Sequence, residues 1–372
     1  MSETFDFGII GGGVIGLSLA RELCNRGRVL VVDRQTVGQE ASWAGAGILP
    51  PASAKNAIHS REKLLALSFQ LHEKWAAELK QESGIDNGFR KCGALHLART
   101  PGELASLNGQ LLELQEDGIE VTPLTAERAI QCVPSLAAIQ HKILAAAWLP
   151  QEAQIRNPWH LQALKQSCIN QGVQFLENQG HCQLRLQGSN VASVQTETGE
   201  EVSAKRFCVT AGAWTAELIA PLGIQISTVP VRGQMLLFKL PEPIFTPIIY
   251  EGTRYIVARE DGHVVVGSTL EEAGFDKSTS ESGVKSLLNF ADGIVPELNE
   301  SNLVQSWAGL RPASFDGFPY MGAAPHLDNL WIATAHFRSG LLLSTGTAKL
   351  MSQILCHETP LFDLSPFRID RG

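Results

Sequence analysis

Three side chains in the C-terminal third have the chemistry to grip a small anion. Arg311 lies in WAGLRPASFDGFPYMG, residues 307–322, between apolar neighbours and a proline that biases it toward extended backbone before a glycine-punctuated loop. Arg338 lies in HFRSG just ahead of a helix start, and Tyr255, one of 3 tyrosines, falls in a strand pattern. A guanidinium holds a carboxylate through two parallel hydrogen bonds, and a phenol adds a third, so the trio would fix a small carboxylic acid rigidly. An interior Arg311 would demand such an anion, because charged side chains are seldom buried unpaired. Taken singly, each has a plainer role open to it: an ion pair or loop clamp for Arg311, a loop brace for Arg338, a packed strand aromatic for Tyr255. His336, with no acid near it in sequence, reads alone as structural. No GxSxG elbow, HExxH or Walker-type GxxxxGK[ST] offers another catalytic system. A cofactor that carries the hard chemistry removes the need for one.

The elements that must position these groups begin at the N-terminus. FDFGII is a short apolar, β-prone run stopped by glycines. GGGVIG follows, with Gly11-x-Gly13-x-x-Gly16 opening a helix that places Ile15, Leu19 and Leu23 on one stripe and ends near Gly27. RVLVVD closes a βαβ unit with Asp33 at its end. Separate glycines serve the tight turn, the backbone approach to a pyrophosphate and the helix–strand contact. The helix N-terminus offers unpaired donors to phosphate. Asp33, able to accept from a ribose 2′-OH, disfavours a 2′-phosphate. The small residues of ASWAGAGILPP, residues 41–51, suit backbone passing close to a planar ring and favour FAD over NAD, although a tight helix start would use similar residues.

Beyond residue 60 a long amphipathic helix with Leu64, Leu67, Leu71 and Trp75 on one stripe gives way to mixed strands and helices. KRFCVTAGAWTAELI has the strand–glycine–helix shape of a return to the dinucleotide unit. VRGQMLLFKL and the hairpin TRYIVAREDGHVVVGSTL make the later part antiparallel. The chain of 372 residues is too long for one ordinary core, so two interleaved domains are expected. Its 44% hydrophobic and 18% charged residues are those of a soluble globular protein. A net charge of -8 argues against nucleic acid as the main partner. The 7 scattered cysteines lack CxxC spacing, which fits a reducing cytoplasm better than a disulfide framework or a metal site. No signal-peptide pattern and no apolar run of membrane-spanning length is present, so no membrane is expected as a partner.

GGGVIGLSLARELCNRG, SWAGAGIL, YIVAREDGHVVVGST, WAGLRPASFDGFPYMG, HFRSGLLLSTG and the closing FRIDR, in this order, resemble the flavin-dependent D-amino-acid oxidase superfamily. They are most similar to the glycine oxidases associated with thiamine thiazole synthesis. GxGxxG is shared by many flavoproteins; the GLRP…DG.P..G and HFR.G pair is far narrower. The resemblance implies a mixed α/β (α+β) fold: a Rossmann-like FAD-binding domain from 1–88, 148–222 and 305–372, and a discontinuous antiparallel-sheet substrate domain from 89–147 and 223–304. It implies non-covalent FAD along Gly11, Gly13, Val14, Ile15 and Gly16, with Asp33 and Arg34 at the adenosine ribose and His181 at the adenine. Ala41, Ser42, Ala46, Gly47 and Ile48 would line the pyrophosphate and isoalloxazine; His336, Phe337, Arg338, Ser339, Gly340, Leu341 and Leu342 would border the flavin ring. Tyr255 and Arg311 would bind the substrate carboxylate with Arg338 beside them, presenting the Cα–H for hydride transfer to flavin N5. The implied reaction oxidises glycine, and with it sarcosine or small D-amino acids, to an imine that water hydrolyses to glyoxylate and ammonia in the case of glycine, while O2 is reduced to hydrogen peroxide, in a homo-oligomer. A dehydrogenase of the same fold using another acceptor, or a sarcosine oxidase-like enzyme, is the alternative. Departures are Thr253 where a glycine oxidase has histidine, Ala335 for a glycine common before HFR, and Met321 where sarcosine oxidases place a flavin-attaching cysteine.

Overall fold

The run FDFGII is apolar but for Asp6, and in the structure, a computed structural model that describes residues 4–371, it forms the centre of a sheet. Strand Thr4–Ile10 pairs in parallel with Val29–Val32 on one side and Glu201–Val209 on the other. Glu201–Val209 pairs in turn with Leu330–Thr334, also in parallel. A parallel sheet needs cover on both faces, which is why Val29–Val32 and Leu330–Thr334 are buried throughout, whereas Glu201–Val209 becomes continuously buried only over its last three residues. Helix Val14–Leu23 is the crossover of the first βαβ unit. Helices Ser60–Ser83 and Gly340–Leu355 pack against it and against each other.

The stripe expected on the long helix is partly displaced. Leu64 and Trp75 are buried, but Ser68 and His72 lie inward between them while Leu67 and Leu71 are half-buried. The reason is close helix approach. A Cβ at Gly346 would overlap Ser68 Oγ, and His72 Nε2 meets the Leu342 carbonyl at 2.8 Å. Small and polar groups fit a contact too tight for another leucine.

The second sheet has eight strands in the order Leu303–Ser314, Thr228–Lys239, His263–Gly267, Arg254–Ala258, Ile248–Glu251, Ala94–Ala98, Ala145–Leu149, Thr122–Leu124. All neighbours are antiparallel except Ile248–Glu251 with Ala94–Ala98. The EDG hairpin turns as expected between Ala258 and His263. One face buries Leu236, Phe238, Ile256 and Val266 against helix Glu281–Asp292.

The extended backbone expected at Arg311 is strand Leu303–Ser314, which takes in the whole of WAGLRPAS, and the glycine-punctuated irregular stretch begins after Ser314. It pairs with Thr228–Lys239 along nearly its whole length, with Pro312 opposite Pro230. Proline cannot donate to a ladder, and the strand tolerates it because it forms the sheet edge. Residues 305–314 thus belong to the second sheet by pairing, although they join directly to segments of the first. The polar hairpin Cys182–Gln187 with Asn190–Thr196 extends the first sheet at its far end. A short sheet of Ile48–Leu49, Ala153–Gln154 and Arg90–Lys91 ties the two layers together. Among the described residues no helix is long and apolar enough to cross a membrane, and no group of His, Cys, Asp and Glu is placed to hold a metal.

Candidate active site

A cavity of about 530 Å³ runs from the C-terminal ends of the first sheet's strands, at Ile10, Val32 and Thr210, to the second sheet at Tyr250, Tyr255 and Arg311. Its floor at the first end is the glycine turn. Gly11 takes φ +108°, and a Cβ there would lie 2.6 Å from the Thr210 carbonyl oxygen. Gly16 does not reach the wall; it stands behind it, where any Cβ would overlap the Gly11 carbonyl oxygen. Val14 N–H is capped by Ser42 Oγ at 2.9 Å. The N–H groups of Gly13 and Ile15 find no acceptor among the described residues and stand at the start of a helix on the cavity wall.

Asp33 accepts from Gly12 N–H at 2.6 Å through one oxygen and from Gln35 N–H at 2.8 Å through the other. Burial raises its carboxyl above the ordinary range, against the pull of those donors. Arg34 lies 3.6 Å over the Trp214 ring and bonds Glu40 at 2.7 Å. His181 is exposed at the rim of the cavity.

The small-residue stretch forms the adjoining wall through Ala41, Ser42, Ala46, Gly47 and Ile48. Gly47 has φ +75°, and a Cβ would overlap the Ile155 carbonyl oxygen, so only glycine allows this approach. The loop is held from beneath by buried Arg259. Its guanidinium donates to the carbonyls of Ala46 at 2.6 Å and Ile155 at 3.1 Å and to Gln154. Burial, with Arg156 and Arg90 nearby, lowers Arg259 to about 9.

The opposite wall is the segment from His336 to Leu342, every residue of which lines the cavity. Ala335, where relatives by the resemblance carry glycine, adopts φ +61°, the left-handed region glycine favours. His336 is buried with Nε2 3.0 Å from Thr347 Oγ1, and burial pushes it down to about 3, so it is a neutral structural ring. Met321 is buried and takes a contact from Thr347 Oγ1 at 3.7 Å.

Arg311, Tyr255 and Arg338 converge on the same end of the cavity. Arg311 is half-buried and donates to Ser268 Oγ at 2.8 Å and to the Thr269 carbonyl at 3.3 Å. No carboxylate pairs with it among the described residues. Burial lowers its pKa, and neighbouring Arg338 lowers it further while Tyr255 opposes. Exposed Arg338 reaches the Thr253 carbonyl at 3.2 Å, and the Tyr255 hydroxyl makes a weak contact to Met235 Sδ at 3.5 Å. Two glycines clear the space: a Cβ at Gly233 would overlap the Arg311 guanidinium, and one at Gly267 would come 2.8 Å from the Tyr255 ring.

Sequence reasoning missed Tyr250, Asn157 and the turn Ala211–Trp214, all on the wall. Asn157 Nδ2 donates to the Ser42 carbonyl at 2.7 Å and fixes the small-residue loop. The scarcity of tyrosine that singled out Tyr255 would have singled out Tyr250 as well. Nothing in the sequence marks Asn157.

The glycine cradle, the two unclaimed amide donors and the loop of mostly small residues fit a dinucleotide with a planar ring system. A second sheet carrying an unmatched arginine to the end of that cavity makes this a flavoprotein oxidoreductase scaffold. The family model described as FAD dependent oxidoreductase matches residues 6–354, and the chain belongs to that family. It is similar to the glycine oxidase of Pseudomonas aeruginosa, with 34% identity over 368 residues covering 96% of this chain and 97% of that protein. It is 33% identical to the glycine oxidase of Pseudomonas putida over 367 residues, with 96% of each chain covered. The crystal structure of glycine oxidase from Geobacillus kaustophilus superposes with a TM-score of 0.93 at 31% identity, covering 100% of both chains. The expected fold type and the FAD dependence both hold.

Proposed function

We propose that this chain is a cytoplasmic, homo-oligomeric oxidase that uses FAD and O2 to deaminate glycine, with sarcosine and small D-amino acids as further candidates. The single observation that carries the reading is Arg311: a half-buried guanidinium without a carboxylate partner, at the end of a cavity that begins in a dinucleotide cradle. Full-length similarity to glycine oxidases supports the substrate. Similarity to bifunctional ThiO/ThiG proteins, at 30% identity over 99% of this chain, supports a place in thiamine thiazole synthesis.

In this reading Gly11, Gly13, Val14, Ile15 and Gly16 form the pyrophosphate cradle. Asp33, Arg34 and His181 hold the adenosine end, Ala41, Ser42, Ala46, Gly47 and Ile48 the middle, and His336 to Leu342 the ring. FAD held by these residues would supply the hydride acceptor and the chemistry that reduces oxygen. Arg311 takes the substrate carboxylate in two parallel bonds, Tyr255 adds a third, and Arg338 closes the rim. Fixing the carboxylate fixes the Cα–H, and such positioning is worth about 7 to 11 kcal/mol in well-oriented systems. The FAD-binding part draws on 1–88, 148–222 and 305–372 and the substrate part on 89–147 and 223–304, with the edge strand carrying Arg311 as their shared seam.

Anaerobic mixing with glycine should bleach the flavin, and admitting air should restore it with peroxide. Arg311→Gln should lower kcat/KM by roughly 30- to 1000-fold, because it leaves a desolvated carboxylate unpaired. Persistent colour with glycine, sarcosine and small D-amino acids would defeat the reading. Activity with a dye but not oxygen would make the protein a dehydrogenase.

A further inference from the structure

One buried acid lies behind the cavity wall and belongs to none of the parts assigned above. Glu152, in the turn between strands Ala145–Leu149 and Ala153–Gln154, is 2% exposed. Its side chain makes one hydrogen bond, accepting from the Tyr250 hydroxyl at 2.7 Å through Oε1. No lysine, arginine or histidine pairs with it among the described residues. Tyr250 lines the cavity, and its ring lies 6.3 Å from that of Tyr255. Among the described residues, the hydrogen bond that links this carboxyl to the cavity wall is the one from the Tyr250 phenol.

We propose that Glu152 holds the proton that the substrate amine must shed, and that Tyr250 carries it there. This rests on the amine-oxidation reading, since only an ammonium substrate has such a proton to lose. The step balances without any other reactant. An N–H bond of the ammonium breaks as its proton goes to a lone pair of Tyr250 Oη. The original O–H of Tyr250 breaks in the same motion, and a carboxyl O–H forms on Glu152. Neutral amine, neutral phenol and neutral acid result, where before there were a cation and an anion. The same path in reverse returns the proton to cavity water after product departs.

The surroundings suit a group that exchanges a proton near neutrality. Burial raises Glu152 to about 7, with the Tyr250 donor opposing. The other titratable groups facing the pair are His96, stacked on Tyr250 at 4.4 Å from strand Ala94–Ala98, Tyr255 from Arg254–Ala258, and Cys92 from the turn before Ala94. Burial pushes His96 down to about 4 and raises Cys92, so both are neutral across the working range. Cys92 and Gly93 N–H donate to the Glu152 backbone carbonyl at 3.1 and 3.0 Å, an anchor that side-chain substitution leaves in place.

The test compares wild-type holoenzyme with Glu152→Gln, whose amide still accepts from Tyr250 but takes up no proton, and with Tyr250→Phe. Infrared titration of the oxidised holoenzyme should show a carboxylic-acid band that ionises with a midpoint near neutrality and is missing in Glu152→Gln. A Glu152 ionised throughout pH 5 to 9, or protonated throughout, would overturn the proposal, with or without turnover. In anaerobic bleaching by glycine, both variants should be about 100-fold slower at neutral pH and approach wild type as the pH nears the amine's own pKa. Variants with full flavin content and a wild-type pH profile, merely scaled, would reduce Glu152 to structure. Wild type that fails to bleach with any amine would sink the function reading instead, and the infrared result would still decide this one.

Discussion

A methyl group at residue 233 should test the arginine clamp without touching it. Gly233 lies in strand Thr228–Lys239, two residues on from Val231, the partner of Arg311 across the ladder. Its φ is not left-handed, so alanine fits the backbone and should raise strand stability by about 0.5–1 kcal/mol. The new Cβ, however, would overlap Nη1, Nη2 and Cζ of Arg311, where ordinary contact begins at 3.4 Å. The guanidinium must therefore retreat by roughly 1 Å, enough to strain its bonds to Ser268 Oγ and the Thr269 carbonyl. A displacement of that size in a substrate-positioning group costs about 100-fold, or about 2.7 kcal/mol of transition-state stabilisation. Gly233→Ala should keep its flavin and its melting temperature and lose kcat/KM for glycine by roughly that factor. Binding of a small non-reacting carboxylate, read from the flavin spectrum, should weaken in parallel. A variant within threefold of wild type in both measurements, with Arg311 unmoved in its crystal structure, would refute the assignment of Arg311 as the carboxylate anchor.

Gly16→Ala should purify with little flavin, because its Cβ would overlap the Gly11 carbonyl and press Thr210 Oγ1 at 2.7 Å; the visible-to-ultraviolet absorbance ratio of the purified protein checks this. Acid or denaturant should release all the flavin to the supernatant, since Met321, which the resemblance aligns with the flavin-attaching cysteine of sarcosine oxidases, is a thioether and is buried; colour retained on the precipitated chain would contradict it. Burial holds His72 and His96 near 4 and His160 and His336 near 3, so each ring contributes stability present above its unfolded value of 6.5 and lost as the pH falls through the folded value. By pH 5 the loss is on the order of 2 kcal/mol per ring, and the urea midpoint should drop clearly between pH 7 and 5; a flat midpoint would show the rings to be charged or exposed. Glu152, raised to about 7, has the opposite sign: its contribution is present below the ordinary carboxyl value of 4.5 and lost as the pH rises from there through 7, and Glu152→Gln should remove that part of the pH dependence.

What the sequence made legible and what it hid follow from how each group does its work. Gly11, Gly47 and Asp33 act through local backbone: a turn, a close approach, the end of one strand. The left-handed backbone at Gly11 and Gly47 and the strand end at Asp33 are local features that spacing reveals, although the carbonyls that exclude a Cβ at the two glycines, Thr210 and Ile155, lie far away in sequence. Arg311 was visible as a chemical type out of place, an arginine among apolar residues, but the strand that holds it was not. Pro312 points to extended backbone at Arg311, but nothing local shows that the segment is the edge strand of the second sheet, laid along Thr228–Lys239 with Pro312 opposite Pro230. Asn157 and Glu152 were invisible for a stronger reason. Asn157 serves a carbonyl 115 positions away, and Glu152 a phenol 98 positions away. Nothing local constrains either choice, and an acid in PQEAQ looks like any surface acid until the fold buries it. Long-range polar contacts of this kind leave no periodicity, because one partner is enough to satisfy them. The parts of the site that shape the cofactor's bed are therefore readable in advance, whereas the parts that handle the substrate's proton emerge only when strands distant in sequence are brought side by side.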